Sequence, residues 1–228
     1  MNHIDGEKVL KEYEEFVNII SHDLSAPLRH VKDFSHLLLD TLGKNLSEDQ
    51  RLYKGFIDSA ISRLSGMQDD LLTLSRVVSQ SGTHQIVSTD SIINSLIQGL
   101  NIPARILNAL PDVRGNLQQL TNMFRYLLDN AMLYHGDTSA ALIEISSCID
   151  GDKAIIDIKD NGIGIEDRYH NDIFKMFRRL HGENVYGGGR GAGLAISKKI
   201  AETHGGTISL SSSLGAGTTF HVALPRIQ

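Results

Sequence analysis

The 228-residue sequence has one cysteine, Cys148, no tryptophan and only four prolines. A lone thiol excludes a disulfide framework within the chain and fits a reducing compartment, so a cytoplasmic location is expected. No apolar run approaches the ~18 residues of a membrane span. The start, Met1–Lys8, is polar and acidic, unlike a signal peptide. There is no basic block, and a net charge of −5 argues against nucleic acid or an anionic membrane as the main partner. What is present is an ordinary 41% hydrophobic content, enough for a core, on a length that suits one or two domains.

Glycine divides the chain. Residues 1–80 hold Gly6, Gly43, Gly55 and Gly66, whereas thirteen glycines fall in residues 151–228. The first part reads as long helices and the last as a loop-rich α/β region. Val9, Tyr13, Phe16, Ile20, Leu24, Leu28, Val31, Phe34 and Leu38 recur at steps of three and four, which predicts a helix over about 5–42. Leu42-Gly43-Lys44-Asn45 ends it, and Ser47-Glu48-Asp49-Gln50 has capping-box spacing for a second helix. Ile57, Ile61, Leu64, Met67, Leu71, Leu74 and Val78 run close to a heptad seam along that helix. One hairpin cannot cover both of its apolar faces. Two copies make a four-helix bundle, so a homodimer is expected. The alternative is an intramolecular cap on the second domain.

Residues 80–83 read as a linker. Beyond them the pattern predicts a strand near 84–88, a helix near 89–101, short strands near 104–114 and a helix near 116–134. In that helix Leu117, Leu120, Phe124, Leu127, Leu128 and Ala131 point inward. Ala141–Ile149 and Lys153–Lys159 alternate like antiparallel strands. Ala192–Thr203 reads as a helix, and Gly206–Ser211 and Thr218–Leu224 as closing strands. The expected domains are a helical hairpin over 1–80 and an α+β sandwich, a sheet with helices on one face, over 84–228.

His22 lies two positions past Ile20, about 200° around the helix, and should face solvent. Pro27 follows within the same helical pattern. It removes the bond to the Asp23 carbonyl at a cost of roughly 3 kcal/mol. A chance exposed histidine explains His22 alone, since the chain has nine others. An exposed His-Asp pair beside a built-in break invites a functional reading, in which a loosened helix lets another domain reach the imidazole.

Three further signals point to a nucleotide. Asp160-Asn161-Gly162-Ile163-Gly164-Ile165 ends a predicted strand, where a carboxylate can accept from an adenine amino group and the glycines permit a close turn. Gly187-Gly188-Gly189-Arg190-Gly191-Ala192-Gly193-Leu194 runs into a helix whose free N–H groups suit phosphate oxygens. It is neither a Walker A loop nor a Rossmann turn. Asn130, polar on a helix that is otherwise apolar inside, has an amide oxygen suited to Mg²⁺.

Over nearly its whole length the sequence resembles the HisKA-type sensor histidine kinases, which join a dimerisation and phosphoacceptor hairpin to a GHKL-type ATP-binding domain. The resemblance rests on Ser21-His22-Asp23-Leu24 through Pro27-Leu28, the N box around Asn130, and Asp160-x-Gly162-x-Gly164. It continues through Ile173-Phe174-Lys175-Met176-Phe177-Arg178-Arg179-Leu180, Gly191-x-Gly193-Leu194 and Gly215-x-Gly217-Thr218-Thr219-Phe220, all in family order. Phe177–Gly182 with Gly191–Leu194 is similar to the kinase modules of phytochrome-type photoreceptors.

The resemblance implies ATP and Mg²⁺ as ligands and His22 as the phosphoryl acceptor with Asp23 beside it. It implies a response-regulator receiver domain as the partner, one of whose aspartates receives the phosphoryl group. It places Asn130 at the metal, Asp160 at adenine and Tyr134 against the base. Gly162, Gly164, Ile165, Gly191, Ala192, Gly193, Leu194, Thr218 and Thr219 line the nucleotide, with Arg179 and Arg178 near its phosphates and residues 166–189 as a lid. Three positions depart from the pattern. Tyr126 stands where Asn is common, Leu133 where Lys or Arg is frequent, and Ala26 where Thr or Asn often orients a dephosphorylating water, which implies weak phosphatase action. A non-catalytic adaptor and a GHKL ATPase are the competing classes. The second lacks a water-activating acid, since a tyrosine with an ordinary pKa near 10 is a poor base.

Overall fold

The computed structural model describes residues 19, 23, 25–41, 46–79, 83–135, 141–180 and 189–227. The chain divides into two compact units, Met1–Ser79 and Gln80–Gln228. Ile20, His22 and Leu24 lie outside the described residues, as do residues 181–188 of the expected lid over 166–189 and residues 80–82 of the expected linker over 80–83.

The first unit is a pair of helices. Helix α1 covers 25–41, with residues 19 and 23 also helical, and α2 covers Glu48–Ser79. The capping box forms in both directions. The Ser47 amide donates to Gln50 Oε1 at 2.9 Å, and the Gln50 amide donates to Ser47 Oγ at 3.2 Å. Two otherwise orphaned donors at the helix start are thereby satisfied. Gln68 of α2 donates to Ser25 of α1, and Lys54 pairs with Asp58 one turn on. A cavity of about 280 Å³ bordered by Leu28, Arg29, Ile61 and Gln68 remains between the helices. Much of the expected apolar stripe is uncovered in the single chain: Phe34 is 68% exposed and Leu64 50%.

The second unit is an α/β sandwich. Its elements are β1 (Gln85–Ser88), α3 (Thr89–Gly99), β2 (Ala104–Ile106), β3 (Asp112–Gly115), α4 (Leu117–Leu133), β4 (Ile143–Asp150) and β5 (Lys153–Asp160). Then follow α5 (Gly193–Thr203), β6 (Thr207–Ser212) and β7 (Thr218–Pro225). The main sheet has the order β2-β4-β5-β7-β6, parallel between β2 and β4 and antiparallel elsewhere. β1 and β3 form a separate antiparallel ribbon, joined to the chain after β7 by a Val113–Arg226 bridge. Ile156 and Ile158 of β5 and Phe220 and Val222 of β7 are fully buried, as are Phe124 and Leu127 of α4 and Ile196 and Ile200 of α5. Burial of such side chains stabilises by about 1.5–3 kcal/mol each.

Two details differ from the sequence expectation. Leu117 is exposed, because it is the first residue of α4 and precedes the turns that meet the sheet. Met123, which falls on the Leu120–Leu127 stripe, is fully buried in its place. α3 starts with Ser88 as its N-cap, whose side chain accepts from the Ser91 amide. α4 starts on Asn116, capping Gln119 in the same way.

His204 fastens the far end of α5 to the start of α4. Its Nε2 accepts from the Asn116 amide at 3.0 Å, and Nδ1 lies 2.7 Å from the Ile200 carbonyl it donates to. The imidazole is buried and stacks on His84, centroids 4.9 Å apart.

Candidate active site

Asp160 closes β5, the middle strand of the main sheet, and alternation turns its side chain to the buried face. Its Oδ1 accepts from the Gly162 amide at 2.8 Å and from the Thr218 amide at 3.1 Å. Burial nonetheless pushes the carboxyl above the ordinary carboxylate range, against the pull of those two amides. Among the described residues Oδ2 has no hydrogen-bond partner. Asp160 is thus a firmly held carboxylate with one acceptor oxygen in hand, the geometry needed to read an amino group.

The turn after Asp160 is built by backbone-to-backbone contact. A Cβ at Gly162 would meet the Tyr134 carbonyl oxygen at 2.4 Å, and one at Gly164, which has φ +70°, would meet that of Ser213 at 1.9 Å. The conformational freedom of these two glycines is taken up by the protein's own backbone. The Ile163 amide donates to the Tyr134 carbonyl at 2.9 Å, tying the turn to the end of α4. Ile165 donates to Ser212 Oγ at 2.8 Å, and that hydroxyl also reaches Gly217 and Thr218. Ser212 is a support that sequence reasoning missed, because it looks like any strand serine.

Thr218 comes to Asp160, but Thr219 does not. Successive residues of β7 alternate in burial, so Thr219 occupies the opposite face of the sheet from Thr218. The remaining expected residues come from α4, α5 and the turns between β5 and α5. Asn130 sits on α4, half-buried, with no hydrogen-bond partner for its side chain among the described residues. Tyr134 is the C-cap of α4, and burial raises its phenol while the Arg179 charge opposes that rise. Arg179 therefore acts at Tyr134, whereas Arg178 and Lys175 both pair with Asp172, at 3.5 and 2.6 Å. Lys175 first, then the Arg178 charge, hold Asp172 below the ordinary range.

Residues 167–169 and 172–174 form short 3₁₀ turns, with Ile173 buried. Phe177 has φ 59°, a strained conformation for an aromatic residue and one that no sequence signal announces. Gly191, φ +78°, presses on this turn, since its Cβ would meet the Arg178 carbonyl at 2.6 Å. Gly193 then opens α5. Ala192 at the N-cap offers no side-chain acceptor, and Ala192 and Ala195 are buried while Leu194 is half-buried. Among the described residues no side chain caps the first amides of α5, which suits them to a ligand's acceptor oxygens.

The model of the histidine kinase-, DNA gyrase B- and HSP90-like ATPases matches residues 115–228, the segment that holds Asp160, Asn130 and α5. That of the His Kinase A phospho-acceptor domain matches residues 12–80. The chain belongs to the histidine kinase family. Cyanobacterial phytochrome B of Nostoc sp. is 33% identical over 97% of the chain and 30% of its own length. Phytochrome-like protein Cph1 of Synechocystis sp. is 34% identical over 94% of the chain and 29% of its own. The chain spans about three-tenths of the length of these curated relatives. The fold is shared with full-length ShkA, solved in complex with AMPPNP, at a TM-score of 0.67 and 21% identity, over 92% of this chain and 45% of that one. Histidine kinases of this kind carry a helical phospho-acceptor unit followed by an α/β ATPase unit, and the chain has both in that order. Among the described residues no helix is long and apolar enough to cross a membrane.

Proposed function

We propose that the chain is the catalytic portion of a cytoplasmic two-component histidine kinase: it binds Mg²⁺-ATP in the unit after residue 80, phosphorylates His22, and passes the phosphoryl group to an aspartate of a receiver domain. The observation that carries this reading is Asp160, a buried carboxylate with one oxygen held by two amides and the other without a partner among the described residues. Oδ2 accepts from the adenine amino group, Tyr134 borders the base, and the first amides of α5 take phosphate oxygens.

Asn130 fits a magnesium ligand. Among the described residues its amide has no hydrogen-bond partner, which leaves its oxygen for a cation. Mg²⁺ is usually held by one or two protein oxygens together with water and substrate phosphates. When bound it neutralises charge on the β- and γ-phosphates.

The reaction asks the protein for position more than for covalent chemistry. A neutral imidazole nitrogen of His22 attacks the γ-phosphorus in line as the bond to the bridging oxygen breaks, and ADP leaves with that electron pair. An unperturbed imidazole is largely neutral at pH 7. Asp23 holds the opposite ring N–H and offsets the positive charge that develops. The hairpin pairs with a second copy through its uncovered apolar stripe, and the receiver docks near the His22 end. Tyr126 and Leu133 favour one rival reading, a dimeric adaptor that binds nucleotide without transferring phosphate.

Incubation with [γ-³²P]ATP and Mg²⁺ tests both. Acid-labile, base-stable label on the parent, absent from His22→Ala, supports the kinase. Label retained by His22→Ala would sink the assignment of the acceptor, and nucleotide binding with no label on the parent would select the adaptor.

A further inference from the structure

We propose that Tyr126 is a positioning residue for the phosphate tail of the nucleotide: its ring pins the first turn of α5 at a fixed offset from Asn130. This inference rests on the nucleotide reading of the site.

α4 and α5 pack together with matched attachments along their length. At one end His204, the C-cap of α5, accepts from Asn116, the N-cap of α4. In the middle the buried Ser197 hydroxyl faces the Met123 carbonyl at 3.5 Å. At the other end Tyr126 lies on Gly193. A Cβ at position 193 would come within 3.2–3.3 Å of Tyr126 Cδ1, Cβ and Cγ. With no side chain at Gly193, Tyr126 packs over the backbone at the start of α5. The ring thereby braces the start of α5 against α4. The Arg125 guanidinium, 5.3 Å from the ring centroid, adds a further hold.

Tyr126 and Asn130 are four apart on α4 and share one face. Tyr126 thus lies against the amide-bearing end of α5 and on the face of α4 that carries Asn130. The contact also gives Gly193 a reason of its own: a side chain there would press on the ring.

The contribution of Tyr126 should be felt by the triphosphate and not by the nucleoside, which Asp160 holds from the sheet side. In the full 228-residue chain, affinities for Mg²⁺-ATP by calorimetry and for adenosine by ligand-observed NMR separate the two. Tyr126→Ala is expected to weaken Mg²⁺-ATP by about tenfold or more and adenosine by less than about twofold, while Tyr126→Phe stays within about twofold of the parent for both. Gly193→Ala, which obliges the ring to give by a few tenths of an ångström, should also weaken Mg²⁺-ATP more than adenosine, to a smaller extent than Tyr126→Ala. It carries the comparison if circular dichroism shows Tyr126→Ala to be unfolded. Equal losses for both ligands, no loss for either, or a Tyr126→Phe as impaired as Tyr126→Ala would each overturn the proposal. A parent that binds adenosine and Mg²⁺-ATP equally weakly would instead overturn the phosphate site itself.

Discussion

The two units of the chain solve the same problem, covering apolar surface, to different degrees. The α/β unit covers its own: Phe124 and Phe220 have no exposed surface at all. The hairpin leaves Phe34 and Phe56 at 68% and 64% exposure. Monomeric surfaces seldom hold such apolar groups together without a partner. A sheet with helices on one face closes over its core within one chain, whereas two helices have no third element to close over them. The α/β unit is thereby self-contained, and the hairpin is the part whose stability should depend on what it meets.

The sharpest way to break this comparison is to remove one phenyl ring from each side. Phe124→Ala should destabilise the α/β unit by about 3–5 kcal/mol. Phe34→Ala should leave that unit's thermal transition where it was and weaken self-association, read by sedimentation at several concentrations. Equal losses of thermal stability from both changes would mean that the hairpin is covered from within.

Next in size is Asp160→Asn. The new amide oxygen can still accept from Gly162 and Thr218, but an NH₂ then stands where Oδ2 was and faces another donor. Nucleotide affinity should fall by about 1.5–3 kcal/mol, tenfold and more, with no loss in the apo unfolding midpoint. An Asp160→Asn protein that binds ATP like the parent would remove the carboxylate from the site. In the hairpin, Ser47→Ala deletes half of the capping box and should cost about 1 kcal/mol of helix stability, visible as fraying of α2 in hydrogen exchange and not in the sheet.

The smallest effect is a pH slope confined to the α/β unit. Burial first, and the neighbouring His84 charge against the pull of the Ile200 carbonyl, lower the affinity of His204 for a proton. The unfolded chain then binds that proton more readily, so stability is full above the unfolded value of about 6.5 and drains as pH falls through it toward the lower folded-state value. Urea melts at stepped pH should show the slope in the parent, and His204→Gln should flatten it.

Periodicity and capping residues made the elements legible. The alternation of Lys153–Lys159 gave β5, and Ser47 with Gln50 gave the start of α2. Both are local patterns, and local forces decide them. The sequence failed where the outcome depends on a distant neighbour. Leu117 reads as part of the apolar stripe, yet it precedes the turn at which α4 meets the sheet. Thr219 matches a family motif, yet a strand alternates its faces, so only one of two adjacent threonines can reach Asp160. Gly162 and Gly164 read as room for a ligand, and the structure places the Tyr134 and Ser213 carbonyls beside them. Nothing in the sequence marks the positive φ of Phe177 or the parallel pairing of β2 with β4, since each is imposed by chain remote from it.

Asp160 joins the turn after β5 to the beginning of β7 through one oxygen atom. Any ligand that engages the other oxygen is therefore mechanically continuous with the centre of the sheet. The Gly162 and Thr218 amides become built-in reporters: their exchange with deuterated solvent should slow on ligation, even though neither proton touches the guest.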